Sequence, residues 1–507
     1  MARPRRSWVA IAETTVAWSF VVLAILYVSI GVTWTWQNLW DQPPYADTMR
    51  YRWFSETLTV DRFHAGLYPL ILSLVNPWGE NLGRIQFLQF GVLALSSAYF
   101  VFALRGADFA RHRYGRRGVV GAFGALLLLV LFDPLLAHFV LSLMPDSLAL
   151  SGCLVFSAAL SELRRDGARS WFAAPLLFGG FVLAAGVRIE KSSVLLLTVL
   201  ATLLLWTLVA RRFASGFDSR PRTRGVLVLA IALLGFASVQ WLQTSMYREP
   251  PPRIAQGLRL SPWSMLTTVL HHRIIFPNLA SVYEELSPAS RALLTREDAR
   301  TYDRKIHNTW AVTDRVTRAD PKIRDRLTRD LASTAFRNRW PSIALDVATD
   351  TAENLLAPVS FYLRLVAWSL EGADPGAWVE RFEATPWTYE ALARNHPRMS
   401  RLYVAVSGSL FLFACFLALL HARRSFRAGV WKPGPQTVFS LVPVVLLCTA
   451  NAFAFSLSAD LVHVRYTLFA HSAGVLLVYR GALAWVLREE PEEQAGSGPG
   501  SELRIGD

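Results

Sequence analysis

The chain has 507 residues, 53% of them hydrophobic and only 18% charged. A soluble chain carries about 25% charged residues. Here the shortfall comes from repeated apolar stretches of the ~20 residues that a helix needs to cross ~30 Å of hydrocarbon. The formal net charge of +14 does not point to nucleic acid, because the basic residues stand in short segments between those stretches, where they set orientation in a membrane.

In chain order, ten spans are predicted near 12–35, 84–104, 118–136, 147–163, 171–187, 192–210, 225–245, 401–421, 437–457 and 467–487. The first follows Arg3, Arg5 and Arg6 as a signal peptide would. No A-x-A-like site comes after it, so it reads as a retained helix. The apolar piece at 66–77 is too short to cross and ends at Pro77-Trp78-Gly79, which suits an interfacial or re-entrant helix. With the N-terminus inside, the inner loops 105–117, 164–170, 211–224 and 422–436 are all basic, and the outer turns 137–146, 188–191 and 458–466 carry fewer positive charges.

The segment 246–400 is the one sizeable polar region and falls outside by parity. It opens with Pro250-Pro251-Pro252 and has helical patterns at 291–318 and 321–340. A separate helix is expected at 341–356 after Trp340-Pro341, and an amphipathic stretch at 357–370 is expected on the membrane surface. The acidic, Gly/Ser-rich tail is expected to be disordered and cytoplasmic. The fold expected is an all-α polytopic membrane protein. Its parts are an N-terminal transmembrane module (1–245) with an outer loop at 36–65, a mainly helical extracytoplasmic segment (246–400), the last three spans (401–487) and the tail (488–507).

Cys153, Cys415 and Cys448 lie in apolar stretches with no zinc-like spacing. No H-x-x-x-H, carboxylate triplet or Gly-rich phosphate loop occurs, so no cofactor is indicated and a divalent metal has no motif behind it.

The outer face collects Asp41, Asp47, Arg50, Arg52, Asp61, Arg62 and His64 with Asp146, Arg188, Glu190, Lys191, His463 and Arg465. Ionisable groups at the edge of a transmembrane bundle are costly to desolvate and are candidates for function. A chemistry that suits them is transfer of a sugar from a polyprenyl-phosphate carrier. The acceptor hydroxyl needs a carboxylate base, and the departing phosphate needs Arg or Lys more than it needs an acid.

The pattern "PPYADTMRY" after the first span, followed by "FHAGLYPLILSL", resembles the first outer loop of GT-C-type glycosyltransferases, the superfamily of protein O-mannosyltransferases and lipid A aminoarabinose transferases. "LMPDSLAL", "VRIEKSSVLLL" and "VRYTLFAHSAGVLL" are weaker likenesses to the entries of later spans. The resemblance implies a GT-C-like bundle with Asp47 at the position of the catalytic aspartate, and Thr48 departs from the glutamate usual next to it. It also implies a polyprenyl-phosphate sugar donor, a glycan, lipid or protein acceptor, and residence in a bacterial inner membrane with both termini cytoplasmic and the active site outside.

Arg188, Lys191, Arg465, Tyr466, His64, Arg62 and Arg50 are the candidates for donor phosphate or substrate binding, and Asp146 and Asp41 the candidates for a second carboxylate. Bland readings stand beside these. Asp47 suits a helix N-cap, Asp146 starts a helix after Pro145, Arg188, Glu190 and Lys191 suit an internal salt bridge, and Arg465-Tyr466 suits an interfacial anchor. Two other functions fit less well. An O-antigen ligase or polymerase would use cations of the large outer segment, such as Arg253, Arg259, His271, His272, Arg273 and His307. A lipid or solute transporter would place ionisable groups at mid-span.

Overall fold

The computed structural model describes residues 8–39, 46–60, 64–78, 81–104, 115–163, 170–212, 221–248, 279–294, 321–356, 361–363, 396–427, 435–458 and 468–487. Their regular structure is helical, apart from one isolated β-bridge between Val60 and Tyr247. The first half runs α1 (Trp8–Asn38), α2 (Ala46–Thr57), α3 (Leu67–Val75), α4 (Leu82–Leu104), α5 (Gly115–Leu131), α6 (Pro134–Leu141), α7 (Asp146–Glu162), α8 (Ser170–Val187), α9 (Lys191–Arg212) and α10 (Pro221–Met246). Then come α11 (Leu279–Val282), a 3-10 turn, α12 (Pro288–Leu293), α13 (Pro321–Leu355), α14 (Pro397–Arg427), α15 (Pro435–Ser458) and α16 (Leu468–Val486).

Nine of the ten apolar stretches overlap a single helix, and the third is divided between two. Among the described residues six are long and apolar enough to cross a membrane unaided: Ile11–Asn38, Leu82–Ala103, Lys191–Leu208, Gly225–Met246, Arg398–Arg427 and Leu468–Val486. α8 and α15 carry shorter apolar stretches. α7 is enclosed by its neighbours along nearly its whole length.

The third span differs from expectation. Instead of running straight to 136, it breaks after Leu131, and Pro134–Leu141 turns away by 64°. Proline has no N–H to continue the ladder, and it forces the residue before it out of the helical region. Asp133 is accordingly extended (φ −61°, ψ 129°), and its carboxylate caps α6 by accepting from the Leu135 and Leu136 amides at 3.0 and 3.1 Å. Backbone groups freed by such a break need partners inside a membrane protein. The Tyr27 hydroxyl lies between the carbonyls of Leu129 (3.1 Å) and Phe132 (2.5 Å), and the Tyr403 hydroxyl also donates to Phe132. At the other end of α6, Gln86 donates to the Leu141 carbonyl, and Gln89 to those of Val140 and Ser142.

α7 and α8 pack closely because glycines face backbone. A Cβ on Gly152 would lie 2.4 Å from the Ala184 nitrogen, and one on Gly180 2.6 Å from the Phe156 nitrogen. Small residues are what let membrane helices approach so near. As antiparallel neighbours, α7 begins at the end of the bundle where α8 finishes, so Asp146 and Arg188 emerge side by side.

Residues 321–355 form one helix where two were expected at Trp340-Pro341. Residues 336–342 are exposed all round, so water can satisfy the carbonyl that Pro341 leaves unpaired. The far end of this helix joins the bundle, with Asn354 donating to Ser456 on α15 at 2.9 Å. Of the stretch expected on the membrane surface, Phe361 and Tyr362 are instead buried in the bundle core.

Candidate functional site

The loop after α2 is sewn to the end of α10. Val60 N–H donates to the Met246 carbonyl and Arg248 N–H to that of Val60, both at 3.0 Å, and the Gln243 amide donates to the His64 carbonyl at 2.9 Å. Gly66 is the residue that permits this approach, since a Cβ there would lie 2.8 Å from the Met246 sulfur. His64 becomes part of a ring cluster, 5.3 Å from Tyr51 and 5.1 Å from Phe54 between centroids. Tyr51 also meets Tyr68 edge to face at 4.9 Å, which fixes α2 against α3.

Tyr68 links this layer to the charged turns. Its phenol is fully buried and held well above the usual tyrosine range, first by burial and then by Tyr51 and Asp146, with Arg188 pulling the other way. Arg188 donates to Asp146 at 2.6 Å, and its other terminal nitrogen stands 3.7 Å from Glu190. Lys191, the first residue of α9, donates to the amide oxygen of Asn451 on α15 at 2.5 Å. Asp146, Arg188, Glu190 and Lys191 line one pocket with Cys153 on α7 and Leu468 and Phe469 on α16. Two acids and two bases balance formally, so the internal salt bridge anticipated for this turn is present. The pocket that it frames is narrow, with about 20 Å³ of room, enough for roughly one water.

Of the sequence candidates, Arg188, Lys191 and Asp146 are therefore brought together, and His64 lies in the adjoining ring layer. Asp47 is in the first turn of α2, one turn before Tyr51. The Asp47 side chain, with Asp41, Arg62, Arg465 and Tyr466, lies outside the described residues. Arg50 is half-buried on α2, while Arg52 lies 5.5 Å over the Trp78 ring and pairs with Glu56 at 2.9 Å, away from the pocket. No group of three His, Cys, Asp or Glu side chains among the described residues is arranged to hold a metal.

A second polar cluster went unsingled in the sequence. His471 Nε2 is 3.1 Å from both Asp133 oxygens, and Tyr362 donates to the same carboxylate. The signal available was ionisable character within apolar stretches, Asp133-Pro134 in the third and His471 in the tenth.

No protein-family model matches the chain, and neither does any curated protein sequence. Among solved structures, the crystal structure of ArnT from Cupriavidus metallidurans bound to undecaprenyl phosphate matches with 15% identity and a TM-score of 0.35, over 89% of this chain and 77% of that one. A likeness of that size assigns neither residue nor activity to this chain.

Proposed function

We propose that this protein is a membrane glycosyltransferase that moves a sugar from a polyprenyl-phosphate donor to a hydroxyl acceptor on the outer face of a bacterial inner membrane. Asp47 serves as general base. It accepts the acceptor proton as the new glycosidic bond forms and the sugar–phosphate bond breaks, and polyprenyl phosphate leaves as an anion. Lys191 and Arg188 stabilise that anion, Asp146 and Glu190 hold Arg188 in place, and Asn451 holds Lys191.

The observation that carries this reading is the contact chain from α2 to the pocket. Tyr51, one turn after Asp47, packs on Tyr68, and both share one buried cluster with Met144 and Leu148, which flank Asp146, and with Val187, the neighbour of Arg188. That packing supports reading the segment whose pattern resembles the GT-C first outer loop as a neighbour of the cations that a phosphate would need. Transport is less well supported. The interior pair Asp133–His471 is its best argument, but that carboxylate is saturated by two amides, a phenol and an imidazole.

The test is turnover with purified protein in lipid. A sugar presented on polyprenyl phosphate should yield free polyprenyl phosphate and a glycosylated hydroxyl in equal amounts. Transfer from a water-soluble nucleotide sugar with no use of the lipid-linked one would refute the reading. Reporter fusions at 215 and 300 check the orientation, and both positions reporting the same side would be incompatible with it.

A further inference from the structure

The charged pocket, at about 20 Å³, has no room for a phosphate group as it stands, and one of its walls is the first turn of α16, Leu468 and Phe469. That same turn carries His471, whose Nε2 bonds both oxygens of Asp133 at 3.1 Å. Asp133 and His471 are both fully buried. Tyr362, from the outer segment, donates to the same carboxylate and stacks along the imidazole with centroids 5.7 Å apart.

Capping α6 does not account for this assembly. The cap needs only the carboxylate and the amides of Leu135 and Leu136, and the carbonyls at the break are served by Tyr27 and Tyr403. His471 and Tyr362 arrive from 338 and 229 residues away and add nothing to the cap. What they do is tie the first turn of α16 and the outer segment to one carboxylate. The tie is incomplete, because His471 Nδ1 is buried with no hydrogen-bond partner among the described residues. An unsatisfied buried nitrogen makes the closed arrangement less stable than a fully paired one.

We propose that Asp133, His471 and Tyr362 form a latch that holds the first turn of α16 shut against the charged pocket, so that a phosphate head group reaches Lys191 only when this turn shifts. They are positioning residues, since none of them touches the pocket itself. The phosphate part of the statement rests on the function proposed above, and the latch rests on geometry alone.

Cys153 lines the pocket and serves as its reporter, while Cys415 lies on α14 outside it. In full-length protein carrying Cys448→Ala, the rates at which methyl methanethiosulfonate labels Cys153 and Cys415 are measured by mass spectrometry. Asp133→Asn, which keeps a good capping side chain, Tyr362→Phe and His471→Asn should each speed labelling of Cys153. The gain should be on the order of tenfold, as for loss of one charge-assisted hydrogen bond, with Cys415 unchanged. Unchanged Cys153 labelling in the folded variants, or equal acceleration of both thiols as from general loosening, would overturn the latch. If His471→Asn does not fold, the two milder variants decide the question. Undecaprenyl phosphate added to the wild type tests the functional reading separately. Slower labelling of Cys153 supports the pocket as a phosphate site, and no slowing would remove that role while leaving the latch to be judged by the rates.

Discussion

Arg188 and Asp146, forty-two residues apart in the chain, meet at 2.6 Å with their side chains 14% and 4% exposed. Burying two charges together is close to neutral, but removing one partner leaves the other desolvated and unpaired. Such a truncation costs about 3–5 kcal/mol. Asp146→Ala should therefore destabilise the protein in detergent by roughly that amount, whereas Asp146→Ala with Arg188→Ala should cost clearly less than the sum of the single changes. Strict additivity in a double-mutant cycle would mean that the pair is not coupled.

Lys191 differs from Arg188 in that its described hydrogen bond goes to a neutral amide, that of Asn451. Replacing Lys191 by Met keeps the stem and deletes the charge. If Lys191 holds the donor phosphate, loss of that contact removes about 1.5–3 kcal/mol of binding, or roughly 10- to 150-fold in donor KM. Lys191→Arg should recover part of it. The assay varies the polyprenyl-phosphate donor at saturating acceptor, and a donor KM within twofold of wild type would exclude the role.

The helices and two layers of the site were legible in the sequence for different reasons. Hydropathy located a single helix under nine of the ten apolar stretches and a broken one under the third, and charge at helix ends picked out Asp146, Arg188 and Lys191, which the structure brings together. The break at Asp133 was missed because the apolar run continues through Asp133-Pro134 to Leu141, and hydropathy outweighed a good stop signal. Pro341 misled in the opposite direction, since a helix surrounded by water tolerates the carbonyl that proline leaves unpaired. The Asp133–His471–Tyr362 cluster had no local signature. Its members come from three remote parts of the chain, and only packing of α5, α14 and α16 brings them together.

The register of α7 on α8 sets the Asp146–Arg188 distance, and Gly152 sets that packing. Gly152→Val would force its side chain into the Ala184 backbone, 2.4 Å from where the Cβ would begin. Overpacking of this kind costs about 1–3 kcal/mol, and backbone offers less give than a side chain. The variant should melt earlier than the wild type, and it should also bind donor more weakly because the pair is displaced. Gly179→Val is the control, since a Cβ there meets nothing within 4 Å. Equal effects at the two glycines would show that the close approach of α7 and α8 does not matter.

In the polar segment 246–400, Asp330 accepts from the Ser287 amide at 3.1 Å and the Ser287 hydroxyl at 2.6 Å. Burial raises its pKa, but hydrogen bonds from Ser287 and Ser290 outweigh that and hold the carboxyl below its ordinary value. A depressed folded pKa means that the unfolded state binds the proton more readily. The stabilisation is thus present above the unfolded value of about 3.9 and is lost as pH falls through the folded one. Hydrogen exchange in Pro288–Leu293 should be faster in Asp330→Asn than in wild type at pH 6. The ratio, corrected for intrinsic exchange, should fall towards one as the pH is lowered through the folded pKa. A ratio independent of pH would show that the carboxylate charge does not fasten this turn.

The most consequential prediction concerns Asp47. α2 is docked through Tyr51, Phe54 and His64, all of which lie after its first turn. Asp47→Asn changes basicity with little change in size, and the N-cap anticipated for Asp47 does not apply because α2 already begins at Ala46. Insertion and melting should therefore match the wild type. A general base contributes about 10²–10⁴-fold to a rate, and that loss should appear in kcat with donor KM nearly unchanged, the reverse of the pattern expected for Lys191→Met. Asp41→Asn, from the same segment 36–65, is the companion measurement. If Asp41→Asn abolishes transfer and Asp47→Asn does not, the base is Asp41. If both turn over at the wild-type rate in matched membranes, this loop holds no catalytic carboxylate and the proposed mechanism fails.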